Sequence, residues 1–134
     1  MYLLDTDIIG NILKKKPSGK LIKKLKVVPR EFQFTTSVNV GEMFYGAFWS
    51  EAKDRLIEVF LNKVFPNLTI LNFDYESARI FGEMKYDLER KGTGLSEPDM
   101  RIASIAKQHK LTLITRNVKH FGRVPGLKVE NWID

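Results

Sequence analysis

The sequence predicts one α/β domain over residues 1–134: a mostly parallel β-sheet flanked by helices, in three α/β/α layers. Three observations predict it. Short β-rich runs alternate with stretches of helical periodicity along the whole chain. The apolar run at 2–4 and the β-rich run at 111–115 read as buried strands, as in sheets covered on both faces. No repeat, low-complexity tract or linker divides the 134 residues, a length that suits a single core.

Taken in order, Tyr2-Leu3-Leu4 reads as a buried first strand, with Asp5 and Asp7 where the run stops. Ile8, Ile9, Ile12 and Leu13 have helical spacing and predict a short helix over 8–16, broken by Pro17-Ser18-Gly19. Leu21, Ile22 and Leu25 mark a second short helix. Phe32-Gln33-Phe34-Thr35 alternates as a second strand, and Ser37 is placed to cap the helix begun by Val38, Met43, Phe44 and Ala47. A helix over 52–65, apolar at 56, 57, 60, 61 and 64, is closed by Pro66-Asn67; residues 68–71 form the third strand.

Asp74 caps a long helix over 75–91 whose apolar face uses Ala78, Phe81, Met84 and Leu88, and Lys91-Gly92-Thr93-Gly94 ends it. Ser96 suits an N-cap and Pro98 a first turn, so a helix begins there and runs through Ile102, Ala103, Ile105 and Ala106 to about Lys110. Residues 111–115 form the fourth strand, Arg116-Asn117 leaves its carboxyl end, and residues 127–129 form a short last strand after the turn Pro125-Gly126.

Composition narrows the chemistry. Apolar residues make up 43% and charged residues 28%, an ordinary soluble composition. No run approaches the roughly 20 apolar residues of a membrane span, and the N-terminus lacks a signal-peptide pattern, so a cytoplasmic protein without membrane contact is expected. The absence of cysteine excludes disulfides and thiolate metal sites. With only His109 and His120 available, any metal site is mainly oxygen-liganded, which favours Mg²⁺ or Mn²⁺ over zinc. The 22 basic and 16 acidic residues give +6, a balance suited either to attracting a polyanion or simply to solubility. Eight basic residues and no acid lie between Lys14 and Arg30; they form an RNA-facing surface or the solvated face of amphipathic helices.

Four polar positions fall near strand ends: Asp5 after the first strand, Glu42 one turn into the helix after the second, Asp99 in the first turn of the helix before the fourth, and Asn117 after the fourth. In an open parallel sheet, ligands bind at the carboxyl edge, where Asp5 and Asn117 can meet. Asp99 has to be brought there by the loop at 91–97. Carboxylates a few ångströms apart do not all stay ionised without a cation, and Mg²⁺ takes oxygen ligands while keeping waters. Each residue also has a plainer role: Asp5 ends a strand, Asp7 caps a helix, Glu42 is a surface acid, Asp99 favours a positive helix end, and Asn117 sits in a turn.

The ordered set Leu3-Leu4-Asp5-Thr6-Asp7-Ile8-Ile9, Ser37 to Glu42-Met43 and Gly46, Asp99 to Ile102-Ala103 and Ala106, and Leu113-Ile114-Thr115-Arg116-Asn117 to His120-Phe121 resembles PIN-domain ribonucleases, above all the VapC-type toxins of toxin–antitoxin modules. The closing stretch 123–132 is similar to the usual end of that family. The resemblance covers essentially the whole chain. It implies a PIN fold and a Mg²⁺-dependent endoribonuclease, with Mn²⁺ a possible substitute, acting on tRNA or ribosomal RNA. It also implies a homodimer, inhibition by a cognate antitoxin in a hetero-oligomer, and contact with operator DNA only through the antitoxin.

By position, the resemblance makes Asp5, Glu42 and Asp99 the metal-site acids, with Thr6 and Thr115 as supporting hydroxyls. Asn117 stands where many relatives have a fourth acid and others Asn; it offers a carbonyl oxygen without charge. Asp7 or Glu97 are the acids available to compensate. Arg116, Lys119 and Arg123 fall near the site and are expected to contact RNA phosphates. Ile8, Ile12, Leu21, Phe44 and Phe48 line an antitoxin groove or, for most of them, the core. Trp132 is expected to pack rather than stack on a base.

Two other readings compete. Asp5-Thr6-Asp7 also resembles the start of haloacid-dehalogenase-like phosphatases, whose first Asp is a nucleophile, and Thr115 would suit their second motif. Ile9 and the lack of a paired-Asp strand end after Thr115 count against it. A non-catalytic RNA- or partner-binding module with the same fold predicts RNA binding without metal-dependent cleavage. Loss of a central acid would mark it, and Asp5, Glu42 and Asp99 are all present.

Overall fold

A computed structural model describes all residues, 1–134. Its strands are β1 (Tyr2–Leu4), β2 (Gln33–Thr36), β3 (Thr69–Leu71), β4 (Thr112–Ile114) and β5 (Val129–Glu130). Its helices are α1 (Thr6–Ile12), α2 (Gly19–Val27), α3 (Ser37–Trp49), α4 (Lys53–Val59), α5 (Tyr75–Arg90), α6 (Glu97–Gln108) and α7 (Val118–Phe121). Every strand pair is parallel, in the order β3-β2-β1-β4-β5. From central β1 the chain winds to one side through β2 and β3, then crosses to the other through β4 and β5. The reversal between β1 and β4 is the switch point at which open α/β sheets bind ligands.

Alternation along β1 and β4 splits the core in two. Leu3 and Leu113 face one layer with Met84, Leu88, Ile102 and Phe121; Leu4 and Ile114 face the other with Ile8, Ile9, Leu21, Met43 and Phe60. The three-layer arrangement thus follows from β1 and β4 offering apolar side chains to both faces, between two amphipathic helix layers. Leu113 is wholly buried, so its truncation to Ala would cost about 2–5 kcal/mol. No helix is long and apolar enough to cross a membrane.

Several boundaries differ from expectation for identifiable reasons. α1 starts at Thr6 because Asp5, not Asp7, caps it: the Asp5 carboxylate accepts the Thr6 N–H. The cap of α3 is Thr36 rather than Ser37, its hydroxyl accepting the Asn39 N–H. Phe32 belongs to a 3₁₀ turn, which delays β2 to Gln33. The expected helix at 52–65 is regular only to Val59; a wider π turn (Phe60–Val64) follows, then a tight turn (Phe65–Asn67). That wider turn brings Phe60 and Val64 onto the core and turns Leu61 outward, 55% exposed. Phe60, Phe44 and Phe65 then form a ring cluster with centroids 5.8–6.0 Å apart.

On α5, Ser77 takes the buried place expected of Ala78, because its hydroxyl completes a capping box with Asp74. Gly92 adopts φ +70 just past that helix, a conformation that favours glycine. β5 lies at Val129–Glu130 rather than 127–129, since Leu127 is still in the preceding turn and packs on the core. The four-residue α7, too short to show a period, is anchored by fully buried Phe121. Of the proposed groove residues, Ile8 and Leu21 are core, Ile12 and Phe44 are half-buried against it, and Phe48 is 65% exposed. Trp132 packs as expected, buried beside Tyr2, its indole N–H donating to Glu130.

Candidate active site

The carboxyl edge of the sheet gathers most of the polar residues singled out in the sequence. Asp5 leaves β1 in the middle of the sheet, with its backbone N–H still bonded to Ile114 of β4. Its carboxylate is held on both oxygens. Oδ1 accepts from the Thr6 N–H at 2.8 Å and the Asn39 side-chain amide at 3.0 Å; Oδ2 accepts from the Thr115 hydroxyl at 2.8 Å. Thr115 follows β4 directly and is fully buried, and its hydroxyl also accepts the Asn117 N–H at 3.1 Å.

Asn39 is the hub that the sequence did not disclose. It is fully buried in the first turn of α3. One amide hydrogen goes to Asp5 and the other to the Thr6 hydroxyl, while its carbonyl accepts from the Thr36 hydroxyl at 2.6 Å. The Thr6 hydroxyl then donates to Glu42 at 3.0 Å. Asn39 and Glu42 are three residues apart and share one helix face, which is the signal that could have found it. The network leaves no donor of Asn39 unmet, so it fixes where Asp5 and Glu42 point.

Asp7 lies beside this centre on the first turn of α1. Its Oδ2 accepts the Arg116 N–H at 3.1 Å and stands 3.5 Å from the Thr115 hydroxyl. Asp99 comes from the start of α6, where Ser96 caps the helix by accepting the Asp99 N–H. A strand parallel to its neighbours must be entered from their amino edge, so the helix before it can begin at the carboxyl edge. The Asp99 carboxylate meets His120 Nε2 of α7 at 3.2 Å. His120 is the second residue of this region without an assigned part in the sequence reading. Glu97 points elsewhere: it pairs with Lys85 and Arg101 on the α5–α6 surface. The Asn117 side chain makes no hydrogen bond, and only its backbone N–H enters the network. Arg116, Lys119 and Arg123 are exposed around α7, with Arg116 Nε 3.7 Å from Asp134.

Burial raises the proton affinities of Asp5, Asp7 and Glu42. Burial, then repulsion from Asp7, pushes the Asp5 carboxyl up to about 6, against the lowering effect of its Thr115 and Thr6 bonds; Asp99 adds a smaller repulsion. Burial also raises Asp7. Glu42 is raised by partial burial and by repulsion from Asp99 and Asp7. Asp7 and Asp99 therefore each repel both Asp5 and Glu42 across a single cleft. No three of them close around one point. The donors are oxygens with one imidazole nearby, a set that fits a hard cation keeping part of its water shell.

Comparison with known proteins identifies the family and the fold. A PIN domain model matches residues 2–127. The chain is 34% identical over 137 residues to Ribonuclease VapC2 of Haemophilus influenzae, covering 98% of each chain. It is 30% identical over 134 residues to the tRNA(fMet)-specific endonuclease VapC of Salmonella typhimurium, covering 98% of this chain and 97% of that one. Among solved structures, the FitAcB structure from Neisseria gonorrhoeae superposes with a TM-score of 0.90 at 28% identity, covering 98% of this chain and 97% of the other. VapBC2 from Rickettsia felis, bound to a DNA fragment from its promoter, superposes at 0.87 with 30% identity and 98% of each chain. The strand order, the acids at the β1–β4 switch point and these likenesses lead to one conclusion: the chain belongs to the PIN-domain family, among its VapC-type members.

Proposed function

We propose that this protein is the toxic endoribonuclease of a toxin–antitoxin pair, hydrolysing RNA phosphodiester bonds with Mg²⁺ and silenced by a cognate antitoxin. The observation that carries the reading is the crowding of Asp5, Asp7, Glu42 and Asp99 in one cleft, with Asp5 raised to about 6. Such a cluster is electrostatically unfavourable as it stands and is relieved by a cation. The relatives' names support the activity, and the toxin–antitoxin complexes among the similar structures support the partner.

Asp5, Glu42 and Asp99 would hold the metal, with Asp7 rather than Glu97 as the additional acid. Mg²⁺ held there would ease deprotonation of a water and offset charge gathering on the phosphate. The chain's own residues do the rest. Asn39, Thr6 and Thr115 aim the carboxylates, and His120 orients Asp99. The exposed Asn117 amide and the Arg116, Lys119 and Arg123 side chains lie where a phosphate strand would enter. The substrate class we favour is tRNA or ribosomal RNA. The working protein is a cytoplasmic homodimer that joins its antitoxin in a larger assembly and reaches operator DNA only through it.

The test is incubation of total cellular RNA with purified protein, with Mg²⁺ or EDTA, beside Asp5→Ala. Discrete cuts leaving 5′-phosphate and 3′-hydroxyl ends, absent in EDTA and in the variant, are the expected result. Cyclic phosphate ends, or cuts that survive in the variant, would overturn it.

A further inference from the structure

The positive charge of this protein sits in one place. Residues 14–30 hold eight basic side chains and no acid; the remaining chain has 14 basic against 16 acidic residues, so the net +6 belongs wholly to this segment. α2 buries Leu21, tucks Ile22 and Leu25 partly under it, and turns Lys20, Lys23, Lys24 and Lys26 outward. Gly19, Lys20, Lys23, Lys24 and Val27 surround a shallow depression. No side-chain carboxylate pairs with any of the eight; the ion pairs of the molecule lie elsewhere. An ordinary solvated face mixes signs, because like charges held together repel.

This face is continuous with the acid cleft. Lys20 Nζ donates to the backbone carbonyls of Asn131 at 3.3 Å and Asp134 at 2.6 Å. Asp134 in turn lies 3.7 Å from Arg116 Nε, and the Arg116 N–H bonds Asp7. Lys24 rides 5.8 Å from the centroid of buried Trp132, which supports its stem. The face has little for a protein partner to bury: Val27 and, at the edge of the turn, Leu13 are its only large exposed apolar side chains, and protein interface cores are poor in lysine.

We infer that the α1–α2 turn and α2 form a docking face for the phosphate backbone of an RNA strand leaving the acid cleft. Lysines supply the sequence-independent grip of such a contact, which positions the strand while the cleft acts on it. The inference rests on the nuclease reading only for the direction of the strand.

The test is equilibrium binding of bulk tRNA to the full chain in EDTA, at salt concentrations between 50 and 200 mM, with cleavage in Mg²⁺ followed in parallel. The proteins are wild type, Lys23→Ala/Lys24→Ala/Lys26→Ala, and the matching triple Arg variant; Lys20 is spared because it braces residues 131–134. Each lost phosphate contact flattens the log–log salt slope by about 0.7 for a single strand. The Ala variant should therefore bind about tenfold or more weakly at low salt, with a slope smaller by about 2, and the Arg variant should restore both. Cleavage of a short oligonucleotide should be unchanged. Equal affinity and slope in the Ala variant, or no RNA binding by wild type, would overturn the inference. Loss of antitoxin binding with RNA binding intact would assign the face to an acidic protein and also overturn it. Binding that depends on these lysines in a protein that never cuts RNA would sink the nuclease reading and leave the docking face standing.

Discussion

The acid cleft and the lysine face are both clusters of like charge, but they are built in opposite ways. In the cleft, every oxygen of Asp5 is held by a named donor, and Asn39 is buried with all its hydrogen-bonding groups used. On α2 the ammonium groups stand in water, and only Lys20 makes hydrogen bonds. The first arrangement spends burial and hydrogen bonding on position; the second offers charge on flexible stems. Changes in the cleft should therefore act on rate, metal affinity and folding, whereas changes on the face should act on affinity for a polyanion and its salt dependence.

The sharpest break of this contrast is Asp5→Asn. It keeps the shape and most of the hydrogen bonds but removes the central charge, so RNA cleavage should fall about a thousandfold or more, given the several kcal/mol expected of metal catalysis. Stability should not fall with it, because the carboxylate is destabilised where it sits. Gel-based cleavage and thermal melting would separate the two effects.

Asn39→Ala should damage both at once. It strips a donor from Asp5 and from Thr6 and leaves the Thr36 hydroxyl without its acceptor in a buried place. A loss of about 1–3 kcal/mol in denaturant unfolding is expected, with cleavage down about 10–100-fold. A variant that melts normally and cuts normally would deny the hub role.

pH gives a quieter test. Because the folded pKa of Asp5 is raised to about 6, its stabilising protonated form is fully present below about pH 4 and is lost as pH rises through 6. Asp5 alone should thus cost the metal-free chain about 3 kcal/mol of stability between roughly pH 4 and 7, a contribution that Asp5→Asn removes from the slope. Asp7 and Glu42 act in the same direction. Added Mg²⁺ should restore stability at neutral pH by binding only the folded state.

The smallest effect belongs to Glu97→Gln. That acid sits in exposed pairs with Lys85 and Arg101, so cleavage should be unchanged and stability should move by less than about 1 kcal/mol. A large loss of cleavage would mean that Glu97, not Asp7, completes the acid set.

Much of this was legible in the chain because the same residues serve pattern and chemistry. β1 is an apolar run and β4 a β-rich one, so both could be read as buried strands and the site placed at their ends. Asp74, Ser96 and Pro98 announce their helices by cap chemistry that needs no tertiary partner. What was hidden depends on packing. Asn39 looks like an ordinary first-turn residue until Thr36, Asp5 and Thr6 close around it. The π turn at Phe60–Val64 exists to bring two side chains onto the core, which no period reveals. α7 has a single buried anchor, and with it the meeting of His120 and Asp99 stayed out of sight. Glu97 and Asp7 were indistinguishable as spare acids until the fold placed one beside Asp5 and paired the other with Lys85.

The central proposal is that the carboxylates of this cleft bind a divalent cation. The measurement that meets it most directly is anomalous diffraction from crystals of the protein soaked in Mn²⁺. A strong peak in the cleft beside Asp5, absent from Asp5→Asn crystals, is the predicted result. No peak in the cleft at saturating Mn²⁺, or a peak that persists in the variant, would contradict it.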